Sequence, residues 1–517
     1  MNKYQIKSVD EMTIEELVGQ VIMVGLPSTY LDEQYKEFIK KYSIGNFILF
    51  ARNYDNTNQM KNFMKELYSY TKTITGSFPL VSIDQEGGMV VRLFKDVTFP
   101  ASPLTTSATS VDDAAYKTGY IIGKDMLSLG INLNLAPCLE INEGLLNPLI
   151  NVRGYGQTKE FVLKQAKAFV KGIQESGALS CIKHFPGAGS STKDSHLELP
   201  IIEDSKEDLL NYNMYPFVNL TESDALMSSH CLYKSFDELP STLSHVLLTD
   251  CLRKQIGFDG LIISDGMEMK AIADTYGIGQ GSVMALNAGC DILLLCHDYD
   301  EQKNAFDAVI EAVKNNTLSV ELLKEKVVRI NKAKELIANS LTKYFTDSDY
   351  IINDEEHQLM ESIVDNSYTL IKGEAPKLDD NTLIISSNAK VASIVEDEFD
   401  ERNLTNALKH NFPNNKVLKF RQDFDFINEA LDIAKEYDNI VIYSYDAYKD
   451  DVQKQVINKL LETPKNIYVV SIKGPIDRVY FNNLKNYSCL YEYTPNSIKT
   501  IVKQLKQEIN LNGKLPL

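Results

Sequence analysis

The chain has 517 residues, 44% of them hydrophobic and 24% charged, which is typical of a globular protein with two or three domains. The net charge of -18 at pH 7 would repel a phosphate backbone, and no apolar run approaches the length of a bilayer span, so we expect no nucleic-acid partner and no membrane association. The N-terminus lacks the basic start and apolar stretch of a signal peptide, which favours a cytoplasmic protein.

Short apolar runs alternate with helical patterns over the first two-thirds of the chain. Eight of these runs are too apolar to be half-exposed strands, which predicts a parallel sheet buried on both faces. Eight strands are also the number that closes a (β/α)8 TIM-type barrel. The predicted strands span residues 20–24, 45–50, 80–84, 131–137, 179–184, 225–229, 260–264 and 291–295. Helical patterns between them include residues 59–70, 112–129 and 159–176.

Five polar and titratable residues lie at the ends of four of these runs, namely Asp84, Lys183, His184, His230 and Asp265. Active sites of such barrels collect at the C-terminal ends of the strands. Any strand must exit into polar residues, but these exits are unusually rich in groups that titrate. We therefore expect several of them to converge on one pocket.

One loop carries the pattern of an acid/base pair. It begins with KHFPG at 183–187 and continues to DSH at 194–196, although the chain has only seven histidines. An aspartate two residues before a histidine can orient the imidazole and stabilise its protonated form. Asp194 and His196 are therefore candidates for proton transfer, and a solvated loop with a helix cap is the structural alternative.

Two further segments combine carboxylates with guanidinium groups. IDQEGG at 83–88 places two carboxylates and an amide on a tight turn, with Arg92 close behind, and the loop at 147–153 ends with Arg153. The group at 83–88 can hold several hydroxyls through ionic hydrogen bonds worth about 1.5–3 kcal/mol each. Either arginine could equally be a structural ion-pair partner.

The C-terminal third has a second α/β pattern. After a helix at 319–341, residues 342–354 are polar and irregular, so we predict a barrel domain at 1–341, a linker at 342–354 and a second domain at 355–517. A helix at 355–371 and five alternating strands predict an open, doubly wound sheet. The strands are expected at 382–386, 417–420, 439–444, 466–471 and 489–493, with helices such as 426–436 and 451–461 between them.

Motifs for other chemistries are missing from the sequence. GAGSS at 187–191 lacks the Lys-Ser/Thr ending of a phosphate-binding loop, and there is no G-x-S-x-G, H-E-x-x-H or C-x-x-C motif. We therefore expect no metal, no organic cofactor and no disulfide framework. The remaining chemistry, carboxylate plus imidazole, suits proton transfer and covalent glycosyl or acyl transfer.

Several segments together resemble, in order, the motifs of glycoside hydrolase family three, in its β-N-acetylglucosaminidase branch. The resemblance covers nearly the whole chain and implies a TIM-type barrel followed by an α/β/α sandwich. The matching segments are 83–88, 132–137, 183–187, 194–196, 240–243, 264–272 and the C-terminal NGKLP at 512–516.

The resemblance implies a retaining double displacement and a role for each candidate residue. Asp265 resembles the nucleophile that forms the covalent glycosyl-enzyme. Asp194 and His196 resemble a dyad that replaces the usual carboxylic acid/base. The residues that resemble those holding the N-acetylglucosamine unit are Asp84, Arg92, Arg153, Lys183 and His184.

The resemblance therefore implies an exo-acting β-N-acetylglucosaminidase whose substrates come from cell-wall turnover, including muropeptides, or from chitin-type oligosaccharides. Many family members read Gly-His-Gly-Asp-Thr where this chain has GAGSS, a departure that removes no proposed catalytic group. A phosphorylase on the same scaffold is the nearest alternative, because a neutral histidine base does not repel phosphate. A sugar-binding protein without turnover is the second alternative.

Overall fold

Eight parallel strands close into a barrel in the first two-thirds of the chain, as the apolar runs predict. The structure, a computed structural model, describes residues 7–145, 147, 150–187, 199–346, 353–387 and 403–516. In chain order, the strands of this part are β1 Ile22–Gly25, β2 Asn46–Leu49, β3 Leu80–Ile83, β4 Leu133–Asn134, β5 Leu179–Phe185, β6 Ile201–Ile202, β7 Ala225–Ser228, β8 Leu232–Tyr233, β9 Leu261–Gly266 and β10 Ile292–Leu295. β6 and β8 form a separate two-stranded sheet, and the other eight form the barrel.

The barrel closes where β10 pairs in parallel with β1, with Leu293 opposite Ile22. Strands such as β1, β2 and β3 are buried along their whole length, because side chains fill the interior and helices cover the outside. The helices are α1 Ile14–Val21, α2 Glu33–Tyr42, α3 Thr57–Thr75, α4 Pro103–Ala108, α5 Ala114–Ser128, α6 Lys159–Ser176, α7 Lys206–Asp208, α8 Tyr215–Val218, α9 Lys270–Tyr276, α10 Ile278–Ala288, α11 Tyr299–Lys314 and α12 Val320–Leu341, and a π-type helix, Val246–Ile256, precedes β9.

The second part of the chain, called the sandwich domain below (residues 354–516), is built on a six-stranded sheet. The elements are α13 Asp354–Asp365, β11 Thr369–Lys372, β12 Thr382–Ser386, α14 Leu404–Asn411, β13 Lys416–Lys419, α15 Asp425–Ala434, β14 Asn439–Ser444, α16 Asp451–Leu461, β15 Asn466–Ser471, β16 Asn486–Cys489 and α17 Pro495–Leu505. The strand order is β11-β16-β15-β14-β12-β13. Helices α14 and α17 cover one face of the sheet, and α15 and α16 cover the other.

The open α/β sheet is confirmed, but two predicted elements of the sandwich domain are wrong in detail. The helix predicted to reach residue 371 ends at Asp365, and β11 follows as an antiparallel edge strand that pairs with β16. Because β11 is only half-buried, its residues lack the apolar run by which the other strands are recognised. The last strand lies at Asn486–Cys489 rather than at 489–493, and residues 490–493 leave the sheet toward the barrel.

The two parts of the chain share an apolar cluster at the mouth of the barrel. Met89 and Val152, from barrel loops, are buried with Ile472 and Tyr493 of the sandwich domain. The predicted boundaries at residues 341 and 354 stay predictions, since residues 347–352 lie outside the described part of the chain. None of the helices in the described ranges is long and apolar enough to cross a membrane.

Candidate active site

Four of the proposed site residues leave the barrel strands at the same end. Asp84 follows the last residue of β3, Lys183 and His184 lie near the end of β5, and Asp265 is the penultimate residue of β9. All of these strands are parallel, so their carboxyl ends share one rim of the barrel. The convergence that the strand exits predict is therefore built into the topology.

The strand register relates β5 to β9. Met227 of β7 pairs with Lys183 on one side and with Ile263 on the other. Asp265 is two residues beyond Ile263 on the same strand, at a point where the pairing of β9 with β10 shifts register. Neighbouring strands lie about 4.8 Å apart, which puts the ends of β5 and β9 on the order of 10 Å from each other.

A network of opposite charges lies at the ends of β3 and β5. The Lys183 Nζ donates to Asp84 Oδ1 at 2.7 Å and lies 2.7 Å from Glu86 Oε1. Arg153 grips the same Glu86 with two bonds, Nε to Oε2 at 2.9 Å and Nη2 to Oε1 at 2.8 Å. Arg92 Nη2 lies 3.7 Å from Asp84 Oδ2. Glu86 thus joins the strand-borne lysine to the loop-borne Arg153.

Glu86 and Lys183 keep their charges at ordinary pH. Burial alone would raise the pKa of Glu86, but Arg153 and Lys183 outweigh it and hold that pKa well below its usual range. Burial would lower the pKa of Lys183, and Asp84 and Glu86 raise it instead. Groups that stay charged cannot exchange protons during a reaction, so this network is suited to binding rather than to acid/base work.

His184 is held by a second buried carboxylate, Glu140, in the segment after β4. Glu140 Oε1 lies 2.7 Å from His184 Nδ1 and accepts from the His184 backbone N–H at 3.0 Å. Burial would raise the pKa of Glu140, but the neighbouring His184 is the first of several groups that lower it overall, so the carboxylate is ionised. An ionised acceptor at Nδ1 fixes the proton there, which leaves Nε2 for a ligand.

Glu140 also accepts from the Cys138 thiol, whose Sγ is 2.6 Å from Oε2. Cys138, Glu140 and His184 therefore offer three ligand atoms within 4.8 Å of one another, of the kinds that zinc prefers. In the structure these atoms hydrogen-bond to one another. We assign the trio to orienting the His184 ring.

Asp265 and His230 both hydrogen-bond to the backbone of Gly266, the last residue of β9. Asp265 is half-buried, and its Oδ1 accepts from the Gly266 N–H at 2.8 Å. His230 is buried, its Nδ1 2.8 Å from Thr242 Oγ1, and its Nε2 lies 2.9 Å from the Gly266 carbonyl oxygen, which can only accept. His230 therefore supports the backbone beside Asp265, rather than facing the pocket as an acid or base.

The structure brings Asp84, Arg92, Arg153 and Lys183 into one contact network. His184 and Asp265 stand on the same rim of the barrel. The predicted dyad of Asp194 and His196 falls in 188–198, outside the described residues.

Glu86 and Glu140 are the site residues that the sequence analysis did not select. Glu86 was visible as the second carboxylate of the 83–88 turn, but its partner Arg153 is 67 positions away. Glu140 follows the apolar run of β4 by a few residues, 44 positions before His184. In each case the signal was a polar residue just beyond a strand, and only the fold supplies the partner.

Comparison with known proteins agrees with this arrangement of barrel and sandwich. The sequence profile of the glycosyl hydrolase family 3 N terminal domain matches residues 13–333. The chain is 29% identical over 426 residues to β-hexosaminidase A of Pseudoalteromonas piscicida, covering 74% of this chain and 70% of that protein. It is 31% identical over 328 residues to a β-hexosaminidase of Glaesserella parasuis serovar 5, covering 62% of this chain and 92% of that protein.

A solved structure resembles the chain over both domains. It is a glycoside hydrolase family 3 β-N-acetylglucosaminidase from Paenibacillus sp. str. FPU-7, with a TM-score of 0.88, 30% identity and coverage of 98% of both chains. The chain therefore belongs to glycosyl hydrolase family 3. It is a glycoside hydrolase with the barrel and sandwich architecture of that family.

Proposed function

We propose that the protein is a retaining exo-β-N-acetylglucosaminidase. The observation that carries the proposal is the match to the Paenibacillus β-N-acetylglucosaminidase over 98% of both chains, which includes both domains. The β-hexosaminidases of other bacteria that match the barrel support the same substrate class.

The sugar-binding part of the site follows from its charges. Asp84 and the cations around it offer charge-assisted hydrogen bonds to neighbouring hydroxyls, the stronger class of such bonds. Lys183 and Arg153 are held by Glu86, and His184 presents Nε2 because Glu140 occupies its Nδ1 side. We assign Asp84, Arg92, Arg153, Lys183 and His184 to holding the N-acetylglucosamine unit.

The reaction needs a nucleophile and an acid/base. In the first step Asp265 attacks the anomeric carbon, the bond to the leaving oxygen breaks, and His196 protonates that oxygen. In the second step His196 takes a proton from water, the water oxygen attacks the same carbon, and Asp265 leaves. Asp194 supplies the countercharge for the imidazolium, and an imidazole with an ordinary pKa of about 6.5 can serve in both directions near neutral pH.

The proposed substrates are N-acetylglucosamine glycosides released in cell-wall turnover, including muropeptides, or chitin-type oligosaccharides. A comparison of kcat/KM for an N-acetylglucosaminyl-muramic acid disaccharide with kcat/KM for chitobiose separates these sources. A higher value for the muramic acid disaccharide assigns the enzyme to cell-wall turnover, and a higher value for chitobiose assigns it to chitin-type substrates.

We place the enzyme in the cytoplasm, a reducing compartment. All seven cysteines of the chain lie in the described part of the structure, and all are free and buried. A cytosolic protein keeps its thiols reduced, whereas proteins of oxidising compartments often pair them. Immunodetection in fractionated cells tests this placement.

The nucleophile is tested by Asp265→Asn with an aryl β-N-acetylglucosaminide. We expect nitrophenol release to be lost, with circular dichroism unchanged, because an amide cannot form the glycosyl-enzyme. Activity of the variant near that of the wild type would remove Asp265 from the mechanism.

A second experiment distinguishes hydrolysis from phosphorolysis by identifying the wild-type product with and without phosphate. Free N-acetylglucosamine under both conditions supports hydrolysis. Sugar 1-phosphate in the presence of phosphate would show that the enzyme is a phosphorylase.

A further inference from the structure

Two loops of the sandwich domain reach the mouth of the barrel. One follows β15 and contains Lys473 and Gly474, and the other follows β16 and contains Tyr491 and Glu492. The loops are joined by an antiparallel bridge between Lys473 and Tyr491 and by a bond from the Gly474 N–H to Leu490 O at 2.8 Å. They form one paired edge that faces the loops carrying Glu86 and Arg153.

The first contact of this edge is made by Glu492, whose side chain is fully buried. Its Oε2 accepts from the Ser102 N–H and from Thr105 Oγ1, each at 2.7 Å. The Ser102 hydroxyl in turn donates to the Tyr491 carbonyl at 2.9 Å. Ser102 lies at the start of α4, so a carboxylate of the sandwich domain caps a segment of the barrel domain.

The segment held by Glu492 supports the turn that carries Glu86. The Gly88 N–H donates to Pro100 O at 2.8 Å, and a Cβ at Gly88 would lie only 2.3 Å from the Ser102 Cβ. The backbone at Gly88 is thus in direct contact with Ser102. A shift of Ser102 would be passed on to Glu86, two residues before Gly88.

The second contact is made by Gly474 against the turn Asn151–Arg153. A Cβ at Gly474 would lie 2.9 Å from Asn151 Oδ1 and 3.3 Å from Val152 Cγ1. Val152 is buried in the apolar cluster that the sandwich domain contributes to this interface. The missing side chain of Gly474 therefore sets how closely the sandwich domain approaches the residues next to Arg153.

We propose that Glu492 and Gly474 are positioning residues of the sugar site, through which the sandwich domain sets the geometry of the Glu86–Arg153 pair. The two members of this pair come from different barrel loops, and each loop rests on the same edge of the sandwich domain. The inference rests on the proposed function, because Arg153 is assigned there to sugar binding. The family profile ends at residue 333, so these two residues lie outside the part of the chain that it matches.

The experiment compares Gly474→Ala with the wild type. The added methyl would displace Asn151 and Val152, and Arg153 with them, so KM for the aryl glycoside should rise about tenfold while kcat stays within about twofold, the pattern of lost uniform binding. Asn151→Gly removes the nearer clash, and the double variant should return KM to that of Asn151→Gly alone. The backbone strain of alanine at a φ of 77° remains in the double variant, so recovery cannot come from relief of that strain.

Gly373→Ala is the matched control. Gly373 also has a left-handed φ, 68°, and a Cβ built there would lie 2.2 Å from Lys485 O. Lys485 directly precedes β16, so this contact lies at the opposite end of the parallel strands from Gly474. Gly373→Ala should lower the melting temperature without changing KM. Equal changes of KM in Gly474→Ala and Gly373→Ala would overturn the proposal.

Hydrogen exchange gives a readout that does not depend on turnover. Peptides covering residues 150–157 should exchange faster in Gly474→Ala, and peptides covering 84–105 faster in Glu492→Gln, which keeps the size of the side chain but loses its charge. Neither set should change in Gly373→Ala, and unchanged exchange in both test variants would overturn the proposal. Wild-type protein that releases no sugar would refute the proposed function, while the exchange data would still decide the positioning role.

Discussion

Glu86 is the residue on which the charge balance of the site depends. It is 2% exposed and contacts two cations, Lys183, which is buried and also bonds Asp84, and Arg153, which is partly exposed. Removing one partner of a buried ion pair leaves an uncompensated charge, which costs far more than the pair contributes. Glu86 therefore matters for stability as well as for sugar binding.

The change Glu86→Gln tests this balance. Loss of the carboxylate should lower the free energy of unfolding by about 3 kcal/mol at pH 7, because the buried Lys183 loses one of its two carboxylate partners and Arg153 loses both of its bonds to Glu86. Guanidinium unfolding followed by circular dichroism measures the difference. The control is Glu203→Gln, which breaks a surface pair with Lys234 and should have a small effect. An equally small effect of Glu86→Gln would contradict the argument.

The stability difference between the wild type and Glu86→Gln should depend on pH in a defined direction. Because the folded pKa of Glu86 is lowered, its contribution is fully present above the unfolded pKa of about 4.3 and declines as the pH falls toward the folded value. The stability difference between wild type and Glu86→Gln should therefore be constant from pH 7 to pH 5 and shrink below pH 4. A difference that grows on acidification would reverse the assigned direction of the pKa shift.

At the scale of elements, helices α5 and α6 pack backbone against backbone. A Cβ at Gly172 would lie 2.2 Å from Tyr116 O and 2.7 Å from Tyr120 N, and one at Gly119 would lie 2.4 Å from Phe169 O. Glycine is unfavourable inside a helix by about 1 kcal/mol relative to alanine. The close approach of the two helices explains why glycine occupies these positions.

Gly172→Ala should therefore destabilise the protein by about 1–3 kcal/mol, the usual cost of overpacking, although alanine favours an isolated helix. Thermal and guanidinium unfolding measure it. Gly76→Ala serves as the comparison, since Gly76 has a φ of 76° and, within the described part of the chain, no atom lies within 4 Å of a Cβ built there, so the change adds backbone strain without a close contact. A gain in stability at position 172 would show that the two helices are not in close contact.

At the scale of the whole molecule, the seven cysteines are distributed over both domains and buried in every case. Burial raises the pKa of Cys231, Cys290 and Cys489 to about 12 in each case, so little thiolate forms at neutral pH. The native protein at pH 8 should show no rapidly reacting thiol with Ellman's reagent. The protein unfolded in guanidinium should show all seven. A fast native phase would identify a cysteine whose surroundings open in solution.

Local periodicity made most of the elements predictable. The pattern at 159–176 coincides with α6, and that at 451–461 coincides with α16, because an amphipathic helix records its buried face at regular spacing. The pattern does not predict β11, because an edge strand with exposed residues has no regular spacing of apolar residues. Because active sites of such barrels lie at the carboxyl ends of the strands, the sequence also predicts that Asp84, Lys183 and Asp265 share one rim of the barrel.

The sequence by itself determined the barrel, the open sheet that follows it and the rim where the polar residues collect, because these depend on apolar runs and on the parallel order of the strands. Only the tertiary structure decided which charges are neighbours. Lys183 and Asp84 are 99 positions apart, and Ser102 and Glu492 are 390 apart. Such pairs form when the barrel closes and the sandwich domain docks on its mouth, so no local pattern contains them.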